Sequence, residues 1–278
     1  MGTRMPERRE LTKKELSYYA SLKEKRYRRK YKKFILEGVR FVRDALLYSD
    51  NSPYRLDEIF VDFVLAEKKG FDEIVRLAKE KSVPVSLISR WQMEKISAQD
   101  TPQGVFAVLS MPERTDDARW GEVLTKKGTV LFLDGVQDPG NCGTLIRSAA
   151  AFGALAVIIG QDTAKLYNPK VIQATAGAFF HIPVLDLGHR PGREIVGKFV
   201  EMGFELLITG AGGKPIYEIT PSEKMVLVVG NEGSGVRDEI FTLPHTLVTV
   251  PITRIDSLNA AVAGSVALYE VSKKLYAS

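Results

Sequence analysis

Val226-Leu227-Val228-Val229-Gly230-Asn231-Glu232-Gly233-Ser234-Gly235 begins as a strand apolar on both faces and runs straight into a loop in which three of six residues are glycine. A strand with no polar face belongs in a sheet covered on both sides, which is the setting of parallel strands. Working outward, similar apolar runs recur at residues 130–133, 156–159, 205–208 and 247–250. Between them the spacing predicts helices over 144–152, 169–178, 194–202 and 258–275. Strands and helices in alternation specify an α/β fold built on a parallel sheet. Ligands of such sheets bind beyond the carboxyl ends of the strands, where the polar and glycine-rich loops of this chain fall. Glycine accepts positive φ and lets backbone approach a ligand closely, so 230–235 is a candidate ligand loop.

Upstream the pattern changes. Residues 25–110 read as a smaller α/β unit, with apolar positions Phe34, Val39, Phe41, Val42, Leu46 and Leu47 at helical spacing. Strands are expected over 59–64, 83–88 and 105–109, and an amphipathic helix over 71–81. Residues 111–128 lack a sustained apolar period and suit a polar linker with room for one helical turn, so 129–278 forms the second domain. Residues 1–24 read as a mobile basic arm leading into a helix.

The formal net charge of +5 conceals an asymmetry: residues 1–33 carry 13 Lys/Arg against 4 Asp/Glu, and the remainder is net negative. Lys25, Arg26, Arg28, Arg29, Lys30, Lys32 and Lys33 cluster with Tyr27 and Tyr31 among them. Such a segment can neutralise phosphates while the tyrosines stack on bases. A merely solvated tail is the competing reading.

Several classes are disfavoured. One cysteine, Cys142, rules out an internal disulfide and points to a reducing, cytoplasmic setting. The three histidines show no metal-ligand spacing with it, so no metal is expected. No apolar run approaches the roughly 20 residues that cross a bilayer, and the N-terminus is too charged for a secretory signal. The turn after the strand at 130–133 contains no G-x-G-x-x-G, which disfavours a nucleotide-dependent dehydrogenase. Residues 209–215, Thr-Gly-Ala-Gly-Gly-Lys-Pro, imitate a phosphate loop but lack its first glycine and its Ser/Thr. No G-x-S-x-G elbow is present.

Two further segments carry chemistry. Residues 138–150, Asp-Pro-Gly-Asn-Cys-Gly-Thr-Leu-Ile-Arg-Ser-Ala-Ala, read as a Pro-Gly turn ending at Asn141, which then caps a helix. Arg147 is expected on that helix's first or second turn. Residues 250–270 contain Asp256 or Ser257 as helix cap and Asn259 in the first turn. Ala260, Ala261, Ala263 and Gly264 then make a small-residue face suited to close packing, including a subunit interface.

In this order and at these separations, the three segments resemble the motifs of the SpoU/TrmH RNA ribose methyltransferases of the SPOUT superfamily. The resemblance covers about 129–278 and extends to Thr101-Pro102-Gln103-Gly104-Val105, to Asn168-Pro169-Lys170 and to Thr175-Ala176-Gly177-Ala178. Residues 25–110 resemble the family's small ribosomal-protein-like RNA-binding domain. The chain departs from the pattern at 251–258, which is about one residue short and has Thr253-Arg254-Ile255 in place of a common glycine. It departs again at Ala260-Ala261, where Val-Ser is frequent.

The resemblance implies a C-terminal parallel-sheet domain tied in a trefoil knot, a rare exception to unknotted connections. It implies S-adenosylmethionine as cofactor, held by Thr209, Gly210, Gly230, Asn231, Gly233, Val250, Ile252 and Leu258. It implies an RNA substrate, methylated on a ribose 2′-hydroxyl, and a homodimer formed by the motif-one and motif-three helices. Arg147 is the implied catalytic residue, with Asn141, Glu232, Ser257 and Asn259 around it. An arginine is a poor base because its pKa exceeds about 12, so orienting the ribose and clamping a phosphate suits it better. The ribosomal-protein-like unit and basic segment favour 23S-type ribosomal RNA over transfer RNA. A base methyltransferase or a non-catalytic ribosome-assembly factor of the same fold are the alternatives.

Overall fold

A computed structural model describes residues 6–48, 50, 52–63, 71–113 and 116–273. The chain divides into two compact units, 1–113 with 167–169, and 114–166 with 170–278.

The first unit contains β1 (Glu7–Arg8), α1 (Lys13–Ser21), α2 (Lys25–Tyr31), β2 (Lys33–Glu37), α3 (Val39–Tyr48), β3 (Arg55–Asp62), α4 (Phe71–Glu80), β4 (Val85–Ile88), α5 (Arg90–Ile96) and β5 (Val105–Ser110). Its sheet has the order β1-β4-β3-β5-β2. Only β5 runs against the others. The carboxyl ends of β1 to β4 and the start of β5 therefore lie along one end of the sheet.

The expected mobile arm is not what residues 6–24 form. Thr12 and Glu15 cap α1 reciprocally, and Leu11, Tyr19 and Leu22 are buried with Phe60, Met93 and Phe106. Three large apolar side chains in so short a segment outweigh its charge. Residues 1–5, Val64 of the expected strand and residues 114–115 lie outside the described residues.

The second unit contains α6 (Asp116–Leu124), β6 (Gly128–Asp134), α7 (Pro139–Ala151), β7 (Ala156–Ile159), α8 (Pro169–Thr175), β8 (Val184–Asp186), α9 (Gly192–Glu201), β9 (Glu205–Pro215), β10 (Lys224–Gly230), α10 (Asp238–Phe241), β11 (Thr246–Thr249) and α11 (Ala260–Ser272). All six strands are parallel, in the order β11-β9-β10-β6-β7-β8. Val130, Phe132, Val226 and Val228 fill the core on one face with Phe199 of α9 and Trp120 of α6. The expected linker is thus partly helical: Trp120, Val123 and Leu124 of α6 are buried. The far end of the helix expected over 258–275 lies outside the described residues. Among the described residues, no helix is long and apolar enough to cross a membrane.

Candidate active site

The carboxyl ends of β9, β10 and β11, with the start of α11, enclose a cleft of about 450 Å³. Each wall has a local cause. Ile208 of β9 pairs with Leu247, but the next pair is Lys214 with Val248. Residues 209–213 therefore stand out of the ladder as a bulge. Gly213 fits there because a Cβ would lie 2.7 Å from the Leu247 carbonyl group. Thr209 Oγ1 ties the bulge to β10 by donating to Val228 O at 2.9 Å.

The loop after β10 folds back on itself. Asn231 and Gly235 exchange backbone hydrogen bonds of 2.9 and 3.0 Å, and a Cβ on Gly230 would sit 2.3 Å from the returning backbone at Gly235 and Val236. Gly230 is required by this turn of the loop onto its own strand. The Asn231 side chain braces it, donating to Gly135 O at 2.8 Å and accepting from the amides of Gly233 and Ser234 at 2.9 and 3.0 Å. Beyond it, the Arg237 guanidinium grips buried Asp134 at 2.9 Å. Burial pushes the Asp134 carboxyl up, against the pull of Arg237.

Of the expected cofactor residues, Thr209, Gly210, Gly230, Asn231, Val250, Ile252 and Leu258 line the cleft, and Gly233 does not. Gly233 lies at the loop's exposed tip. Sequence reasoning missed Ala211 and Gly212 of the bulge, and Asp256, Ala260 and Ala263 at the cleft's other wall. The signal for the first pair was present: a glycine-rich stretch directly after an apolar strand. Among the described residues the lining holds two carboxylates, Glu232 and Asp256, and no lysine or arginine. That charge sign suits a cationic guest.

Beside the cleft, three of the expected catalytic residues meet. Asn259 Nδ2 donates to Asn141 Oδ1 at 2.8 Å, and Asn141 Nδ2 donates to Glu232 Oε1 at 2.9 Å. Partial burial works to raise the Glu232 carboxyl. The bonds from Asn141 and from the backbone amides of Glu232, Gln137 and Asp138 outweigh it and hold the group below its ordinary range. Ser257 is exposed and lines the cleft, with no bond to the other three.

Both helix starts differ from expectation. Asp138 caps α7 through the Asn141 amide at 2.7 Å, with Pro139 at the first helical position, where its missing N–H costs nothing. Asn141 is then inside the helix, which frees its side chain for Glu232. Asn259 itself caps α11, accepting from Ala261 and Val262, so neither Asp256 nor Ser257 does.

Arg147 is the ninth residue of α7, one turn later than expected. It is exposed, has no hydrogen-bond or ion-pair partner among the described residues, and is not part of the cleft lining of its own chain. The small face of α11 is partly used within the chain: a Cβ on Gly264 would lie 2.6 Å from Leu145 of α7, and Ser265 bonds Ser148 of α7 at 2.7 Å.

In the first unit, the basic cluster forms α2, and two of its cations are structural. Arg28 is 7% exposed and donates to Leu22 O at 3.0 Å, satisfying the end of α1. Lys33 pairs with Asp57 at 3.0 Å. Lys25, Arg26, Arg29, Lys30 and Lys32 are exposed. Tyr27 and Tyr31 stack on each other and carry Arg26 and Lys30 against their rings, so they are not the free stacking platforms expected.

Residues 128–269 match the SpoU rRNA Methylase family, and residues 13–107 match an MRM3-like substrate binding domain. The chain belongs to the SpoU rRNA methylase family. It is 33% identical over 256 residues to the 23S rRNA (guanosine(2553)-2′-O)-methyltransferase RlmP of Bacillus subtilis, covering 91% of this chain and 94% of that one. An rRNA methyltransferase from Sinorhizobium meliloti superposes with a TM-score of 0.80 at 25% identity, covering 97% and 98% of the two chains. The SpoU methyltransferase AviRb from Streptomyces viridochromogenes, solved with the cofactor AdoMet, shares the fold with a TM-score of 0.80 at 24% identity, over 96% and 100%. The expected α/β fold with its parallel sheet agrees with these likenesses.

Proposed function

We propose that this protein transfers a methyl group from S-adenosylmethionine to a ribose 2′-hydroxyl of RNA, in 23S-type ribosomal RNA. The observation that carries the reading is the cleft at the carboxyl ends of β9, β10 and β11, flanked by the bonded Asn259, Asn141 and Glu232. Its volume falls within the range of small-molecule sites. The donor fits the lining: backbone of the 209–213 bulge and of Gly230 can receive an adenosine, and Glu232 and Asp256 offset the positive charge of a sulfonium and an ammonium group. The bound donor supplies an electrophilic methyl carbon.

The chain's own residues do the remaining work. The looped walls fix the donor so that a hydroxyl can approach in line, and such positioning accounts for much of the rate. Arg147 orients the ribose and its neighbouring phosphate with a bidentate guanidinium. The Asn259–Asn141–Glu232 chain holds the first turn of α7, the loop after β10 and the start of α11 at the geometry this requires. Residues 25–110 serve as the RNA-binding domain and 129–278 as the catalytic domain, with the exposed cations of α2 as phosphate contacts. The ribosomal target is supported by the 23S rRNA named for the Bacillus subtilis relative, and the cytoplasm is where such RNA is found.

The functional molecule is a homodimer. Val262, Val266 and Tyr269 recur at helical spacing on α11 and are 49%, 37% and 47% exposed. A dimer through α7 and α11 also carries each exposed Arg147 towards the other protomer's cleft. We include in this proposal the trefoil knot, drawn through the segment from β11 to α11.

The test is methylation of total RNA with labelled S-adenosylmethionine, followed by mapping of the label. A labelled ribose in large-subunit RNA is the expected result. Label on a base, or no donor binding even with RNA present, overturns the reading. Arg147→Ala is expected to abolish turnover while leaving donor affinity intact.

A further inference from the structure

The first unit has an exposed tryptophan with no assigned role. Trp91, on the first turn of α5, is 51% exposed. The parallel run of β1 to β4, with β5 opposed, brings specific neighbours to the same end of the sheet. Arg8 ends β1 and lies over the Phe63 ring, 4.8 Å from its centroid. Arg90 follows β4 and is neutralised by Asp62 at 2.8 Å and Glu94 at 3.1 Å. Gln103 precedes β5 and packs at Gly38, where a Cβ would lie 2.6 Å from Gln103 Oε1. Arg40 follows β2 and Gly38.

Arg8, Arg40 and Gln103 are exposed, and none has a hydrogen-bond or ion-pair partner among the described residues. This end of the sheet thus offers one free indole face, two unpaired cations and one free amide. Two acidic groups at this end of the sheet, Asp62 and Glu94, are both engaged by Arg90. A single exposed aromatic is ordinary on a protein surface. Its company here is not: a stacking plane, phosphate-neutralising cations and an amide able to read a base edge are the components of single-strand RNA recognition.

We propose that this end of the N-terminal sheet receives an unpaired stretch of the RNA running across the strand ends, with one unstacked base lying on Trp91, an adjacent phosphate on Arg8, and a phosphate further along the strand, at the opposite edge of the sheet, on Arg40. This rests on the reading of the protein as an RNA methyltransferase. It assigns base contact to Trp91 in place of Tyr27 and Tyr31, whose rings are already engaged.

The chain has two tryptophans, and the other, Trp120, is buried in the core of the second unit. Emission of the exposed indole therefore reports on Trp91. Titration of the full-length protein with single-stranded oligouridylate is expected to quench that emission. Trp91→Phe is expected to lose the quench and keep most of the affinity. Trp91→Ala is expected to bind about 5- to 150-fold more weakly, the range for loss of one stacked base, with its melting temperature and donor affinity unchanged. If the wild-type protein methylates RNA while Trp91→Ala matches it in affinity and emission is unmoved by RNA, the inference is wrong. If Trp91→Ala changes only the oligomeric state, the indole serves a protein contact and the inference is equally wrong. If the wild type neither binds nor methylates RNA, the functional reading fails first and this inference with it.

Discussion

Asn259 and Asn141 stand 118 residues apart in the chain and share a 2.8 Å side-chain hydrogen bond. Each side chain also acts elsewhere, for Asn259 Oδ1 caps α11 and Asn141 Nδ2 holds Glu232. The cap and the bridge can be separated by mutation. Asn259→Ala removes both and is expected to cost about 1–2 kcal/mol by denaturant unfolding, the upper part of the range for a lost N-cap. Asn259→Asp keeps a capping oxygen but deletes the Nδ2 donor and places a second carboxylate near Glu232. It is expected to recover most of the stability while weakening donor binding by at least about tenfold, roughly the loss of one charge-coupled hydrogen bond. Equal donor affinity in the Asp variant and the wild type would show that the bridge is dispensable.

Gly230 and Gly233 share a loop but have opposite tolerances. A Cβ at Gly230 meets backbone at 2.3 Å, whereas at Gly233 the nearest atom is Asn231 Oδ1 at 3.6 Å. Backbone on both sides of the clash cannot yield without opening the Asn231–Gly235 bridge. Gly230→Ala is therefore expected to abolish donor binding and to destabilise the protein by at least about 1–3 kcal/mol, as overpacking does. Gly233→Ala is expected to bind the donor within about threefold of wild type, since a surface change of this kind moves stability by no more than about 0.5 kcal/mol. Calorimetric titration with S-adenosylmethionine distinguishes the two, and equal losses would refute the clash argument.

These two glycines also mark what the sequence could and could not disclose. The strands of the second sheet were legible because Val226 to Val229 and their neighbours are apolar on both faces, a pattern few other environments allow. The helix starts were misplaced because both Asp138 and Asn141 are good caps, and only the fold chooses between them. The bulge at 209–213 was invisible as such, since Gly-Ala-Gly-Gly reads as a loop and its pairing with β11 is non-local. Arg28 and Lys33 looked like free cations because a charge run carries no record of which members will meet buried carbonyls or carboxylates. Arg147 was identified by resemblance, and nothing in its spacing foretold that it would stand outside its own cleft.

The N-terminal segment should lose stability in acid for an identifiable reason. Bonds from the Thr12 backbone amide and hydroxyl, with the Arg9 guanidinium beside them, hold the Glu15 carboxyl at about 2 from an ordinary 4.5. A carboxylate depressed by folding adds stability above its unfolded value, and that contribution is lost as pH falls through its folded one. The window is therefore from about pH 4.5 down to about pH 2. The side chain is 34% exposed, and solvent screening limits the contribution to about 1 kcal/mol. Glu15→Gln is expected to be less stable than wild type by that amount at neutral pH, with a flatter loss of stability across the window. Urea unfolding followed by Trp91 emission at a series of pH values tests this; parallel profiles for the two proteins would rule it out.

The outer face of α11 provides the remaining prediction. Val262, Val266 and Tyr269 occupy positions i, i+4 and i+7 and so form one stripe along the helix. Opposite them, Ala261, Gly264, Ala267 and Leu268 are buried within the chain, and while Tyr269 meets the Phe152 ring edge-on, half-exposed Val262 and Val266 leave apolar surface uncovered. A charge placed on it would do little to an isolated protomer, because exposed positions away from special features shift stability by no more than about 0.5 kcal/mol. Buried in a two-fold interface, the same charge would meet its symmetry mate without compensation. Val266→Lys is accordingly expected to halve the mass measured by sedimentation equilibrium, to leave the melting profile of the protomer intact, and to abolish methyl transfer because Arg147 no longer reaches a neighbouring cleft. A wild-type protein that sediments as a monomer while fully active, or a Val266→Lys variant that remains dimeric, would dispose of the interface and of the role it gives Arg147.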